Sequence, residues 1–175
     1  MATADAEYVL FFDGSRGNPG PGGSGAALVQ VNAERRQVVL VWHASLSYAN
    51  RGTTNNKVEY LGLVVDLRQA IRRKATPLHV VGNSQLILQQ VRRHRMPVAQ
   101  HLRGYYYDAR RNATRLGVAS WAHHLRQFIK MADAAANIAM DARASMQVEA
   151  GELSRSETAI VDSYMAAGIG HWFNR

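Results

Sequence analysis

The chain has 175 residues, 47% hydrophobic and 19% charged, which suits one well-buried soluble domain and leaves two cramped. It contains no cysteine, which excludes disulfide frameworks, cysteine metal sites and thiol nucleophiles, and no apolar run of about 18 residues that would form a transmembrane helix. Lys and Arg number 21 against 13 Asp and Glu, a formal charge of +8 that suits a polyanionic partner.

The N-terminus, "MATADAEYVLFFDG", lacks the basic start and long apolar core of a secretory signal, so a cytoplasmic or nuclear location is expected rather than secretion. "EYVLFF" (Glu7 to Phe12) is a compact β-type run, ended by Asp13 and the glycine-rich "GSRGNPGPGGSG". "GSGAALVQV" and "RQVVLVWHASL" follow with "NAERR" as the turn between them, and the three runs read as an antiparallel meander. In "TTNNKVEYLGLVVDLRQAIRR", Val58, Leu61 and Val65, and likewise Val64, Leu67 and Ile71, recur at helical spacing, with a cap at Thr53 or Thr54.

"LHVV" (Leu78 to Val81) reads as a buried fourth strand that hands over through Gly82 and Asn83 to a short helix opening at Ser84, "SQLILQQV". "MPVAQHLRGYYYDARRNATRL" reads as another helix with Pro97 in its first turn. "GVASWAHHL" reads as a fifth strand, and the alanine-rich "KMADAAANIAMDARASM" as a last helix. A domain over residues 1–150 is expected, with 151–175 as a polar tail holding one short helix near Ser156 to Ala167. The order gives an α/β architecture, a five-stranded mixed sheet flanked by helices.

Three of the few acids fall at element boundaries: Asp13 at the end of the first strand, Glu59 in the first turns of the long helix and Asp133 at the start of the last. Hard divalent ions want oxygen ligands of this kind, and two-metal phosphodiester chemistry needs several carboxylates around ions about 3.5–4 Å apart. On the residues alone a second reading stands beside this one. Asp13 is then a turn residue, and Glu59 and Asp133 favour helix N-termini through the helix dipole. Asp66 shares the face of Glu59 but lies two turns on, roughly 10.5 Å at 1.5 Å per residue, too far to share ions with it.

Four blocks occur in order: "FFDGSRGNPGPGGSGAAL", "TTNNKVEYLGL", "VVGNSQLILQQV" and "KMADAAANIAMD". Jointly they resemble the type 1 ribonuclease H family, especially the branch fused to reverse transcriptases in long-terminal-repeat retrotransposons, over about residues 7 to 145. The resemblance implies a ribonuclease H-like five-stranded mixed sheet. It also implies cleavage of the RNA strand of RNA–DNA hybrids with two Mg2+ ions, Mn2+ substituting, and a catalytic and metal-binding set at Asp13, Glu59, Asn83 and Asp133. The family pattern has "GDSQLILQQ" where this chain has "GNSQLILQQ", so Asn83 stands at an expected aspartate. An engineered change and a naturally inactive copy both account for it. In either case lower cleavage is expected, and a non-cleaving hybrid-binding or scaffold domain is the alternative function. The last block also departs, with Ile129 at a position where the family usually has Asn.

The resemblance further places Gly14, Ser15, Arg16 and Asn18 after the catalytic aspartate, and Asn55 and Asn56 before Glu59, as hybrid contacts. A glycine-rich turn and helix capping are the structural alternatives. Arg126, seven residues before Asp133, has the spacing of a catalytic assistant, while His123 and His124 read mainly as hydrogen-bonded strand-end residues. "RRHRM" (Arg92 to Met96) reads equally as a solvated charged loop and as a nucleic-acid handle. Trp42, Trp121 and Trp172 read as packing residues. The expected partner is the hybrid, with no membrane and a monomer favoured.

Overall fold

The computed structural model describes residues 6–16, 22–32, 37–48, 55–123 and 146–149. Three long strands open the chain: β1 (Ala6–Arg16), β2 (Gly22–Asn32) and β3 (Gln37–Tyr48). In β1 and β2 the apolar residues alternate between two buried faces, while β3 buries Leu40, Trp42 and Ala44 and leaves Val39 exposed; the strands pair antiparallel, β1 with β2 and β2 with β3. Next come α1 (Asn55–Arg72), β4 (Leu78–Gly82), α2 (Gln85–Arg92), α3 (Gln100–Leu116), β5 (Ser120–His123) and β6 (Met146–Glu149). β4 pairs parallel with β1 and β5 parallel with β4, so the sheet runs β5-β4-β1-β2-β3-β6 and is mixed.

The five expected strands all form, with α1 packed against the sheet, α2 beside β5 and α3 packed mainly on α1. A further short strand, β6, adds antiparallel to the β3 edge, Trp42 facing Glu149 and Ser45 facing Met146. Met146 therefore begins a strand instead of ending the alanine-rich helix read from the sequence, because an open edge of β3 offers it backbone partners. The rest of that helix, and residues 151–175 with Trp172, lie outside the described residues.

Leu10, Phe12, Ala26, Leu28, Trp42 and Val80 point to the face that α1 covers with Tyr60, Leu63 and Leu67. Val9, Phe11, Ala27, Val29 and Val31 on the opposite face are equally buried. Each such aliphatic or aromatic side chain contributes about 1.5–3 kcal/mol of hydrophobic stabilisation. Trp42 is a core residue, as read, and the Arg73 guanidinium lies over its ring, 5.4 Å from the centroid. Tyr60 donates its hydroxyl to Gln90 Oε1, tying α1 to α2. Burial, with Tyr106 beside it, raises the Tyr60 phenol above its ordinary value.

α2 opens where the sequence suggests, and Ser84 caps it, its hydroxyl accepting from the Ile87 amide at 3.3 Å. Pro97 differs from expectation. α3 begins at Gln100 after an Ala99 cap, so Pro97 precedes the first turn, where its carbonyl accepts from Arg103 Nε at 3.1 Å. Gly117 closes α3 with φ 65°, a left-handed cap that glycine adopts without steric cost.

Candidate active site

Asp13 sits inside β1 rather than at its end. Gly14, Ser15 and Arg16 continue the strand opposite Ser24, Gly23 and Gly22, and small residues on the facing strand let the ladder run past the apolar stretch. Gly14 to Arg16 are thus strand rather than the glycine-rich turn read there, and residues 17–21, Asn18 among them, lie outside the described residues. Asp13 is 1% exposed.

Asn83 is Asp13's neighbour across the β1–β4 ladder. The parallel register ends at Phe12 facing Gly82, so Asp13 and Asn83 are the next residues on strands about 4.8 Å apart. Gly82 is required at this step. A Cβ there would meet Phe12 Cε1 at 2.4 Å, well inside contact distance. Asn83 is half-buried, and its backbone carbonyl accepts from His123 Nε2 at 2.9 Å, which ties the end of β5 to the end of β4.

Glu59 reaches the same end of β1 through the direction of α1. Gly62 lies against Ser24, where a Cβ would be 2.7 Å from the serine Cβ, and Ser24 faces Gly14. At the other end of α1, Arg73 covers Trp42, which pairs through Leu28 with Leu10. The helix therefore runs antiparallel to β1, with its first turns over the carboxyl end of the strand. Glu59, one turn before Gly62, is 3% exposed and belongs to that end, as do Asn55 and the half-buried Asn56 in the first turn.

The structure thus brings Asp13, Glu59 and Asn83 to one edge of the sheet, while Asp133, Arg126 and His124 lie outside the described residues. Among the described residues no group of three or more His, Asp or Glu side chains forms a metal cluster, and position 83 carries an amide in place of a carboxylate. Asp13 Oδ2 and Glu59 Oε2 are buried and make no hydrogen bond, although both residues have other interactions. Two buried carboxylates and an amide at one sheet edge offer only oxygen and amide donors, a chemistry that would suit a hard divalent cation.

Two features escaped the sequence reading. His123 is a hydrogen-bonded strand-end residue, as read, but its partner, the Asn83 carbonyl, gave no sequence signal. The burial of Asp66, 1% exposed on the covered face of α1 with neither oxygen hydrogen-bonded, gave no sequence signal.

Residues 11–139 match the family described as Reverse transcriptase-like. The chain is 34% identical over 131 residues to a bifunctional protein of Mycobacterium tuberculosis (strain ATCC 25618 / H37Rv), a match that covers 75% of this chain and 34% of the relative. The N-terminal RNase H domain of that protein, solved as a fusion with maltose-binding protein, superposes with a TM-score of 0.64 at 33% identity, covering 77% of this chain and 99% of that one. Ribonuclease H of Pseudomonas fluorescens (strain Pf0-1) is 37% identical over 92 residues, 52% of this chain and 53% of the relative. RNase H1 of the halophilic archaeon Halobacterium salinarum NRC-1 superposes with a TM-score of 0.62 at 31% identity, covering 78% of this chain and 98% of that one. The chain therefore spans about a third to a half of the length of the curated relatives it matches.

Proposed function

The chain belongs to the Reverse transcriptase-like family, an RNase H family, and on that premise we propose that it is an endonuclease acting on the RNA strand of RNA–DNA hybrids. The observation that carries this reading is the convergence of buried Asp13 and Glu59 with Asn83 at the carboxyl edge of β1 and β4. In open α/β sheets that edge is where ligands collect.

Asp13, Glu59 and Asp133 are the carboxylates that would hold two divalent ions, with the Asn83 carbonyl oxygen as a neutral fourth ligand. When bound, such ions supply a water nucleophile and stabilise the leaving 3′ oxygen. The chain's own residues do the rest. Asp13 and Glu59 are buried at this edge, where low dielectric would strengthen the attraction of a carboxylate for a bound cation relative to water. The Phe12–Gly82 contact and the His123 bond to the Asn83 carbonyl hold position 83 beside Asp13. Gly14 to Arg16, Asn18, Asn55 and Asn56 would present backbone and amide groups to 2′-hydroxyls across the hybrid's minor groove. Arg126, seven residues before Asp133, would be the catalytic assistant. The motif blocks relate the chain to retrotransposon reverse transcriptases.

Asn83 itself favours a second reading, a hybrid-binding domain that does not cleave, because the amide keeps shape and an acceptor oxygen but removes one negative charge. The test is a hybrid with either the RNA or the DNA strand labelled, incubated with Mg2+ and with Mn2+. The primary reading expects slow cutting of the RNA strand alone, abolished by Glu59→Gln. Binding without cutting under both ions selects the second reading.

A further inference from the structure

The outer surface of the helical layer carries almost no negative charge. Between Asn55 and Leu116 the acids are Glu59, Asp66 and Asp108, and the first two are buried, which leaves Asp108 as the single carboxylate reaching solvent. On either side of it stand two arginine pairs at helical i,i+4 spacing, Arg68 and Arg72 on α1 and Arg111 and Arg115 on α3, all exposed. Asp108 bridges one member of each pair, Arg68 at 3.8 Å and Arg111 at 3.7 Å. One carboxylate cannot neutralise four guanidinium groups, so the cluster keeps a net positive charge.

Its place in the fold separates it from the active site. α1 feeds the amino end of β4 and α3 feeds the amino end of β5, and these strands are parallel. Both helix C-termini, with their arginines, therefore lie at the sheet end opposite Asp13 and Asn83. Arg72 is 13 residues from Glu59 along α1, about 20 Å at 1.5 Å per residue. Arginines at helix C-termini also favour the helix dipole, but that small effect gives no reason for two helices to align theirs across one shared carboxylate.

We propose that Arg68, Arg72, Arg111 and Arg115 form a second nucleic-acid contact, a sequence-independent seat for a duplex phosphate backbone on the α1–α3 surface. The geometry fits. Packed helix axes lie about 8–10 Å apart and i,i+4 residues are about 6 Å apart along each. A duplex strand offers a phosphate for about every 3.4 Å of axis, so several phosphates face the four guanidinium groups together. Guanidinium forks bind phosphate bidentately, which lysine cannot do. A chain with this seat holds nucleic acid at two ends, one reading 2′-hydroxyls and one reading charge alone.

The test uses the full chain and a fluorescent DNA duplex of about 30 base pairs, so its outcome is independent of whether hybrids are cleaved. Binding is measured across a salt series for the parent chain and for the variant Arg68→Gln, Arg72→Gln, Arg111→Gln, Arg115→Gln. Each lost phosphate contact removes about 0.9 from the slope of log affinity against log salt, so the slope should fall by about 3 to 4, with affinity down at least about tenfold near physiological salt. The double variant Arg72→Gln, Arg115→Gln leaves the Asp108 pairs intact and should lose about half of that slope, which keeps the test valid if the fourfold variant folds poorly. A double-variant slope within half a unit of the parent overturns the proposal. So does binding of polyglutamate of matched charge as tight as that of the duplex, which would assign the patch to acidic protein.

Discussion

Replacing Asp66 by asparagine isolates the effect of one carboxyl group that the candidate site does not use. Asp66 is 1% exposed in the middle of α1, and neither oxygen has a hydrogen-bond partner. Burial pushes its pKa well above the usual carboxylate range. The folded chain therefore keeps the proton at pH values where the unfolded chain has released it. The sign follows directly. A raised folded-state pKa means that the folded state binds the proton more tightly, so this contribution to stability is complete below the unfolded value near 4 and is lost as pH rises toward the folded value. Each pH unit in that window removes about 1.4 kcal/mol, or roughly 3 to 5 °C in Tm for a chain of this size. An asparagine side chain has nearly the same shape and does not titrate. Thermal melts followed by circular dichroism from pH 4 upward should show the two proteins together at pH 4. The Asp66→Asn variant should then melt higher by that increment per unit, until the difference levels off at the folded-state pKa. Parallel Tm curves over the whole range would refute the reasoning, because they would mean that the carboxyl ionises inside the fold at no cost.

Other expectations concern the site's scaffold and its ligand. Gly82→Ala should cost about 1–3 kcal/mol in urea unfolding, because its Cβ would press on the Phe12 ring that it meets at 2.4 Å. Ser84→Ala should cost about 1 kcal/mol by the same measurement, through loss of the cap to the Ile87 amide. The chain should bind RNA–DNA hybrid more tightly than DNA duplex of the same sequence, and this preference should survive neutralisation of the α1–α3 arginines, since they read charge alone. Equal affinity at moderate salt would remove the 2′-hydroxyl contacts from the account.

Much of the framework was legible because local pattern and global fold agree. The apolar runs at Val9–Phe12, Ala26–Val31 and Leu78–Val81 are strands because buried sheet positions demand such residues, and the 3.6-residue recurrence from Val58 to Ile71 made α1 visible. The opening of α2 at Ser84 was readable because a serine before an apolar helical run is a local signal. What was missed depends on partners far away in sequence. The MQVE of β6 has four residues and no pattern of its own, and it is a strand only because β3 presents an open edge. β1 extends past Asp13 because Gly22 to Ser24 lie opposite, which the glycine-rich spelling conceals. Pro97 suits a first turn and an approach to one equally well. In the site, the resemblance gave the positions Asp13, Glu59 and Asn83, while their meeting depends on the β1–β4 register and the direction of α1.

The most direct test of the central claim is single-turnover cleavage of a hybrid with a labelled RNA strand at saturating Mg2+, comparing the chain with its Asn83→Asp variant. The variant restores a negative charge beside Asp13 without changing shape, where low local dielectric makes the charge count for more than in water. The RNA strand should be cut at least about 100-fold faster by Asn83→Asp than by the parent, roughly 2.7 kcal/mol in barrier. A variant as inactive as the parent would contradict the account and leave a hybrid-binding domain. A parent that already cuts at an ordinary enzyme rate would instead show that the amide at position 83 is a competent ligand as it stands.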